Sequence, residues 1–211
     1  MEASTLARVQ EYAGQAVEYV RRALTMTLEY DSNTLPVLDH YLRTVAGAKT
    51  EAIELVITTA GCYFGEVVRR TLGGRWEIVP RVDAEGNHRP SEAGRDEAEW
   101  RVVLPTGLNF SPLGFVASAI AQSDVEEFDS EFEAPARMRP YVQQTLGRMG
   151  EVPLEDYYSL CNRLDTLEHV HEVLVAVAAQ MLGNATDPDA DDPAVDPAVD
   201  PVSDEPSGPV N

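Results

Sequence analysis

Residues 51 to 80, EAIELVITTAGCYFGEVVRRTLGGRWEIVP, constrain the fold more than any other stretch of the chain. Ile53, Val56, Ile57, Ala60, Phe64, Val67 and Val68 recur at three- and four-residue steps, the spacing that gathers side chains on one face of an α-helix. Gly73-Gly74 ends the stripe, because glycine reaches the positive φ of a helix C-terminal cap without a steric cost. Trp76 and Ile78 follow at the two-residue period of a strand. A helix that turns through a glycine pair into a strand is a packing unit, and it belongs at the centre of the fold.

Helical periodicity dominates the flanking sequence. Leu6, Val9, Ala13, Ala16, Val17, Val20 and Leu24 predict an amphipathic helix from Ser4 to Glu29, closed by the turn residues 30–33. Thr34 suits the cap of a second helix with Pro36 in its first turn and Val37, Leu38, Tyr41, Leu42 and Val45 inward. Trp100, Val102 and Leu104 alternate with Arg101 and Val103, so this run pairs with the Trp76 strand as an antiparallel ribbon. Residues 81 to 98 between them read as a long polar loop, and Leu108 and Phe110 mark a short third strand.

Ser111-Pro112 starts a short helix through Ala121, and an acidic stretch from Asp124 to Glu133 leads to a helix over Ala136 to Met149 interrupted near Pro140. Val152-Pro153 opens a last helix with Tyr157, Leu160, Cys161, Leu164, Leu167, His171, Leu174, Ala178 and Met181 inward, long enough to allow a break. The expected architecture is α+β: five or six helices packed on a small antiparallel sheet of about three strands. Residues 1 to 182 form one domain. From Gly183 onward the chain is rich in Asp, Pro, Ala and Val, with eight acidic residues and no basic one, the composition of a disordered acidic tail.

Charge narrows the function. The chain carries 36 acidic and 16 basic residues, a net charge of −20, and removing the tail's eight acids leaves −12. Such a body repels phosphate backbones and anionic membrane surfaces, so neither nucleic acid nor membrane is an expected partner. No apolar run approaches the roughly 20 residues that span a bilayer, and the N-terminus lacks a secretory pattern, which predicts a cytoplasmic protein. Cys62 and Cys161 lack CxxC spacing and read as buried thiols.

Chemistry-bearing patterns are sparse. Glu168, His169, His171 and Glu172 cluster as EHVHE, but a helical carboxylate-bridged metal site needs further ligands on facing helices, so no metal or cofactor is expected. Gly73-Gly74 follows a helix, whereas phosphate loops precede one, and no G-x-S-x-G elbow is present. Gly61 and Gly65, one turn apart, predict close approach of another element. Glu66 precedes Arg69 and Arg70 at the three- and four-residue steps of a helical ion pair, with Arg70 the default partner; turned inward, it would anchor Trp76, bind a strand amide or line a pocket. Tyr63, Glu66, Trp76 and Trp100 are therefore the candidate ligand-contacting residues, and no catalytic residue is assigned.

The order Leu28-Glu29-Tyr30-Asp31-Ser32, Leu35-Pro36-Val37-Leu38-Asp39, Gly61-Cys62-Tyr63-Phe64-Gly65-Glu66-Val67 and Leu72-Gly73-Gly74-Arg75-Trp76 resembles a loose group of bacterial domains of unknown function. Those carry an LDYS segment, then SL and LD, followed by GAYLGEV and LGG.W. The resemblance covers about residues 20 to 80, with a proline and aromatic segment at Leu104 to Val116 as its continuation. Cys62 stands where an alanine-like residue is usual and Phe64 where leucine or isoleucine is common. It implies a bacterial cytosolic domain and transfers no catalytic residue.

The expected function is a non-enzymatic acidic protein–protein interaction module, of the adaptor or immunity-like kind, whose charge favours a basic partner. Two alternatives stand beside it. One is a small-molecule-binding or weakly hydrolytic pocket near Tyr63, Glu66, Trp76 and Trp100; the other is a structural or oligomerising module built on the long first and last helices.

Overall fold

A computed structural model of the chain describes residues 2–80, 98–126 and 128–185. The loop expected at 81 to 98 lies almost wholly outside the described residues, as does the tail from residue 186. Seven α-helices are present among the described residues: α1 (Glu2–Leu24), α2 (Leu35–Val45), α3 (Thr50–Leu72), α4 (Pro112–Ala121), α5 (Arg139–Arg148), α6 (Leu154–Tyr157) and α7 (Leu160–Ala185). They pack on a four-stranded antiparallel sheet of β1 (Arg75–Pro80), β2 (Ala98–Val103), β3 (Asn109–Phe110) and β4 (Phe132–Glu133), in that order. The fold is α+β, with one strand more than the sequence pattern predicts. Two residues are too few to show alternation, so β4 is invisible in the acidic stretch that contains it.

The core is organised around α3. Its Val56, Ile57, Ala60, Phe64, Val67 and Val68 are buried, as the stripe requires, and α1, α4, α2 and α7 all pack against this helix. Gly73 ends it at φ 74°, donating its backbone N–H to Arg69. Trp76 lies opposite Val102, Val102 opposite Phe110, and Phe110 opposite Phe132, so one row crosses the inner face of all four strands. Phe110 stacks on Phe115 of α4 at 5.0 Å, and Phe64 of α3 meets both rings at 6.2 Å. Those three aromatics tie the sheet to α3 and α4.

Small residues set how closely these elements approach. A side-chain carbon at Gly61 would sit 2.9 Å from the Leu113 Cα, and one at Gly65 would lie 2.3 Å from the Trp76 ring. A carbon at Gly114 would come within 1.7 Å of the Asp129 carbonyl oxygen, so the backbone at Asp129-Ser130 runs directly over α4. Ser111 caps α4 by accepting the Gly114 N–H at 3.2 Å, as its sequence position predicts.

Several boundaries differ from expectation. α1 stops at Leu24 rather than Glu29, because Thr25 takes φ 56° and its hydroxyl bonds the Leu24 carbonyl, a local alternative to the helix. The turn that follows buries Leu28. Thr34 does not cap α2: its hydroxyl accepts the Glu29 N–H and bonds the Tyr63 hydroxyl, while Asp31 holds the Thr34 N–H. Pro140 does not interrupt α5. It stands in the first turn, where a missing N–H costs nothing. The last helix breaks at Tyr158-Ser159, and α7 begins where Asp39 of α2 receives its first amides. Leu160, Leu164, Leu167 and Leu174 point inward as expected, whereas Tyr157 and Met181 are exposed.

Candidate functional site

Glu66 is fully buried and completely occupied. Its Oε1 accepts from Arg69 Nε and from Trp76 Nε1, each at 2.8 Å, and its Oε2 accepts from Arg69 Nη2 at 3.1 Å, with Arg70 Nε 3.7 Å away. The expected ion pair forms, but principally with Arg69, three residues on, because that fork is placed for bidentate contact. Burial pushes the carboxyl pKa up; the hydrogen bonds from Arg69 and Trp76 and the two guanidinium charges outweigh it and hold the group below its ordinary range. Gly65 explains the geometry. The indole lies across the helix at that bare position, so its N–H meets the neighbouring carboxylate.

Tyr63 is equally spoken for. Its buried hydroxyl accepts the Tyr30 N–H at 2.8 Å and bonds Thr34 Oγ1 at 3.1 Å, and burial raises its pKa above the usual phenol value. The Tyr30 ring packs on Tyr63 at 4.8 Å, and the Arg70 guanidinium lies 4.2 Å from the Tyr30 ring centre. Trp100 sits beneath α1, with Tyr12 at 5.9 Å and the Arg8 guanidinium at 5.6 Å. Tyr63, Glu66, Trp76 and Trp100 thus hold α1, α3, the 25–34 turn and the sheet together. None of the four lines the groove on the far side of β4.

That groove encloses about 550 Å³ between β4 with its preceding segment, α5, α6 and the start of α7. Ser130, Val142, Tyr157 and Arg163 line it together with Asp124, Glu131, Glu133, Arg139, Gln143 and Leu146. Three of these are carboxylates. One wall is held by Arg101 of β2, whose side chain is 11% exposed. Its guanidinium bonds Asn109 Oδ1 at 2.7 Å and Asp129, and stands 3.5 Å from Glu99 and 3.4 Å from Glu133. This knot fastens the 129–133 segment to the sheet. Asp124 accepts from Ser130 at 3.1 Å, and Arg139 donates to the Ala134 carbonyl at 3.3 Å.

Arg163 contributes differently. Its guanidinium lies 4.8 Å from the Phe115 ring, 5.1 Å from Tyr157 and 5.7 Å from Tyr158. Burial holds its pKa below the usual guanidinium range, partly offset by Tyr157 and Asp124. Its Nε is buried without a hydrogen-bond partner.

Of the EHVHE cluster, His169 and Glu172 are exposed and His171 serves packing. His171 Nδ1 bonds Thr106 Oγ1 at 3.0 Å, tying the β2–β3 turn to α7, and burial lowers its pKa. Among the described residues no group of three or more His, Cys, Asp or Glu is placed to hold a metal ion. Both cysteines are free; burial raises both thiol pKa values, that of Cys161 to about 12 with Asp39 adding to it, so both stay protonated.

No protein-family model matches the chain, and no curated protein or solved structure shows significant similarity to it.

Sequence reasoning passed over the groove because its acids are unremarkable in an acidic chain. One signal was available. Arg163 is the sole Lys or Arg after Arg148, and it follows the Tyr157-Tyr158 pair by five residues, an arginine set beside aromatics where every other charge is negative.

Proposed function

We propose that this protein is a non-enzymatic binding module that docks a basic segment of another protein in the groove between β4, α5, α6 and α7. The observation that carries this is the combination at its mouth: Leu146 and Tyr157, 40% and 44% exposed, stand beside Asp124, Glu131 and Glu133, with Leu154 76% exposed on the adjoining α6. Apolar anchors surrounded by charge of one sign are what a complementary partner surface needs: the anchors supply area and the carboxylates supply register and encounter rate. The net charge of −20 speeds encounter with a basic partner. No described helix is long and apolar enough to cross a membrane. The polar atoms of Tyr63 and Glu66 are engaged within the fold, which favours a binding role over a pocket at those residues.

A photo-crosslinking side chain at exposed Gln143 tests this in the native host, followed by titration of the captured partner as a purified protein. The expected partner binds in moderate salt, loses about tenfold in affinity with Glu131→Gln plus Glu133→Gln, and loses more with Leu146→Ser plus Tyr157→Ser. A partner that binds these variants as tightly as the wild type overturns the assignment of the groove.

A further inference from the structure

Asp124, Glu131 and Glu133 explain a preference for cations, but they leave one feature of the groove unaccounted for. In a chain with more than twice as many acids as bases, most cations drawn into the fold should have a carboxylate partner, and the half-buried Arg69 and the buried Arg101 do. Arg163 does not: among the described residues no carboxylate stands within ion-pair distance of it, its neighbours are three aromatic rings, and its Nε is one of only three buried side-chain atoms there without a hydrogen-bond partner. The other two, Glu99 Oε1 and Ser118 Oγ, do not line the groove. A desolvated guanidinium with an idle donor costs free energy unless something accepts from it. Phe115, Tyr157 and Tyr158 enclose the guanidinium on three sides, the last two rings at 86° to each other, which restricts the orientation of the fork in advance, the preorganisation that bidentate carboxylate recognition uses.

We propose that Arg163 is a carboxylate-binding subsite on the floor of the groove, so that the docked ligand is a Lys- or Arg-bearing segment that also presents one carboxylate. The carboxylate meets the Arg163 fork, and the cationic side chains meet Asp124, Glu131 and Glu133 at the rim. Glu131 is the freest of the three, since Glu133 is shared with Arg101 and Asp124 accepts from Ser130. Arg139, also on the lining, donates to Ala134 and stands on the α5 side. A carboxylate without a cation is repelled by the rim, and a cation without a carboxylate leaves the Arg163 Nε–H without an acceptor, so the groove discriminates in favour of ligands carrying both. The carboxylate has two possible sources, a chain terminus or an Asp or Glu side chain, and both offer the same two oxygens. This assignment rests on the groove being the docking face.

The test is the Arg163 Nε–H resonance of the full chain in a nitrogen-proton correlation spectrum, titrated with three probes. Nα-acetyl-lysine carries a terminal carboxylate, acetyl-Lys-Glu-amide a side-chain carboxylate, and acetyl-Lys-Gln-amide none. At least one carboxylate probe is expected to shift that resonance saturably with a midpoint at least about tenfold lower than the carboxylate-free control, the margin of one charge-assisted hydrogen bond. Which of the two binds identifies the source. Arg163→Lys, which keeps the charge but loses the fork, is expected to abolish the margin while the groove amides of Gln143 and Leu146 still respond to the control probe. Equal midpoints for all three probes, or no response at Nε–H, overturn the subsite. A crosslinked partner that binds Arg163→Lys at wild-type affinity overturns it as well and leaves the docking face intact, whereas a partner indifferent to Glu131, Glu133, Leu146 and Tyr157 removes the docking face itself.

Discussion

Asp39 of α2 caps α7 across 121 residues of sequence: its Oδ1 accepts the Leu160 N–H at 2.8 Å and its Oδ2 the Cys161 N–H at 3.2 Å. Both amides are orphan donors of a helix start, and a buried carboxylate satisfies them while facing the positive end of the helix. Ser159 adds a local cap by accepting the Asn162 N–H. The direction of α7, and with it the position of Arg163 on the groove floor, therefore depends on a residue of another helix.

Asp39→Ala leaves two buried N–H groups without partners. It is expected to cost about 2 kcal/mol of unfolding free energy, read as a lower midpoint in urea denaturation at unchanged slope. Asp39→Asn keeps one acceptor oxygen and should cost about half as much. An Ala variant within about 0.3 kcal/mol of wild type would show that water replaces the cap.

Glu66→Gln keeps an acceptor for the Trp76 indole but loses the charge opposite Arg69, and should destabilise by about 2 kcal/mol at neutral pH. The sign of its pH dependence follows from a folded-state pKa that lies below the unfolded value of about 4.3. Its contribution is complete above that value and is lost as pH falls from there through the folded-state pKa. The stability gap between wild type and Glu66→Gln should accordingly be flat from neutral pH down to about 5.5 and begin to narrow as pH falls through about 4.3. A gap independent of pH would contradict the ion pair with Arg69.

Two glycines predict opposite effects of the same substitution. Gly114→Ala places a carbon into the Asp129 carbonyl and should cost about 3 kcal/mol, since backbone on both sides must move. Gly14→Ala, inside α1 with open space around it, should stabilise by about 0.5 to 1 kcal/mol through helix propensity alone. Paired thermal melts check both, and a tolerated Gly114→Ala would mean that Asp129-Ser130 is not seated on α4.

Arg101→Met removes the cation that Glu99, Asp129 and Glu133 share, leaving three carboxylates crowded together with no positive charge between them. A loss of about 3 kcal/mol is expected. Arg101→Lys should recover only part of it, because an ammonium cannot reach Asn109 and the acids as the fork does. Hydrogen exchange should rise first in residues 128–134, the groove wall. Uniform change across the sheet would show that the knot supports β1 and β2 rather than the wall.

What the sequence by itself determined is everything that a local period can encode. The α3 stripe, the glycine stop at Gly73, the Trp76 and Trp100 strands and the Ser111 cap all follow from residue spacing, because a helix or strand must put its apolar side chains on one face to bury them. Glu66 was visible as the residue of α3 that packing alone does not call for. Its partner was not settled, since choosing between Arg69, Arg70 and Trp76 required knowing that the indole lies across Gly65. Tertiary structure alone decided the rest: the Asp39 cap, the two-residue strand β4, the carboxylates gathered on Arg101, and the aromatic setting of Arg163. Each of these joins segments far apart in the chain, where no period runs and where a carboxylate or guanidinium acquires its role only from what the fold brings beside it.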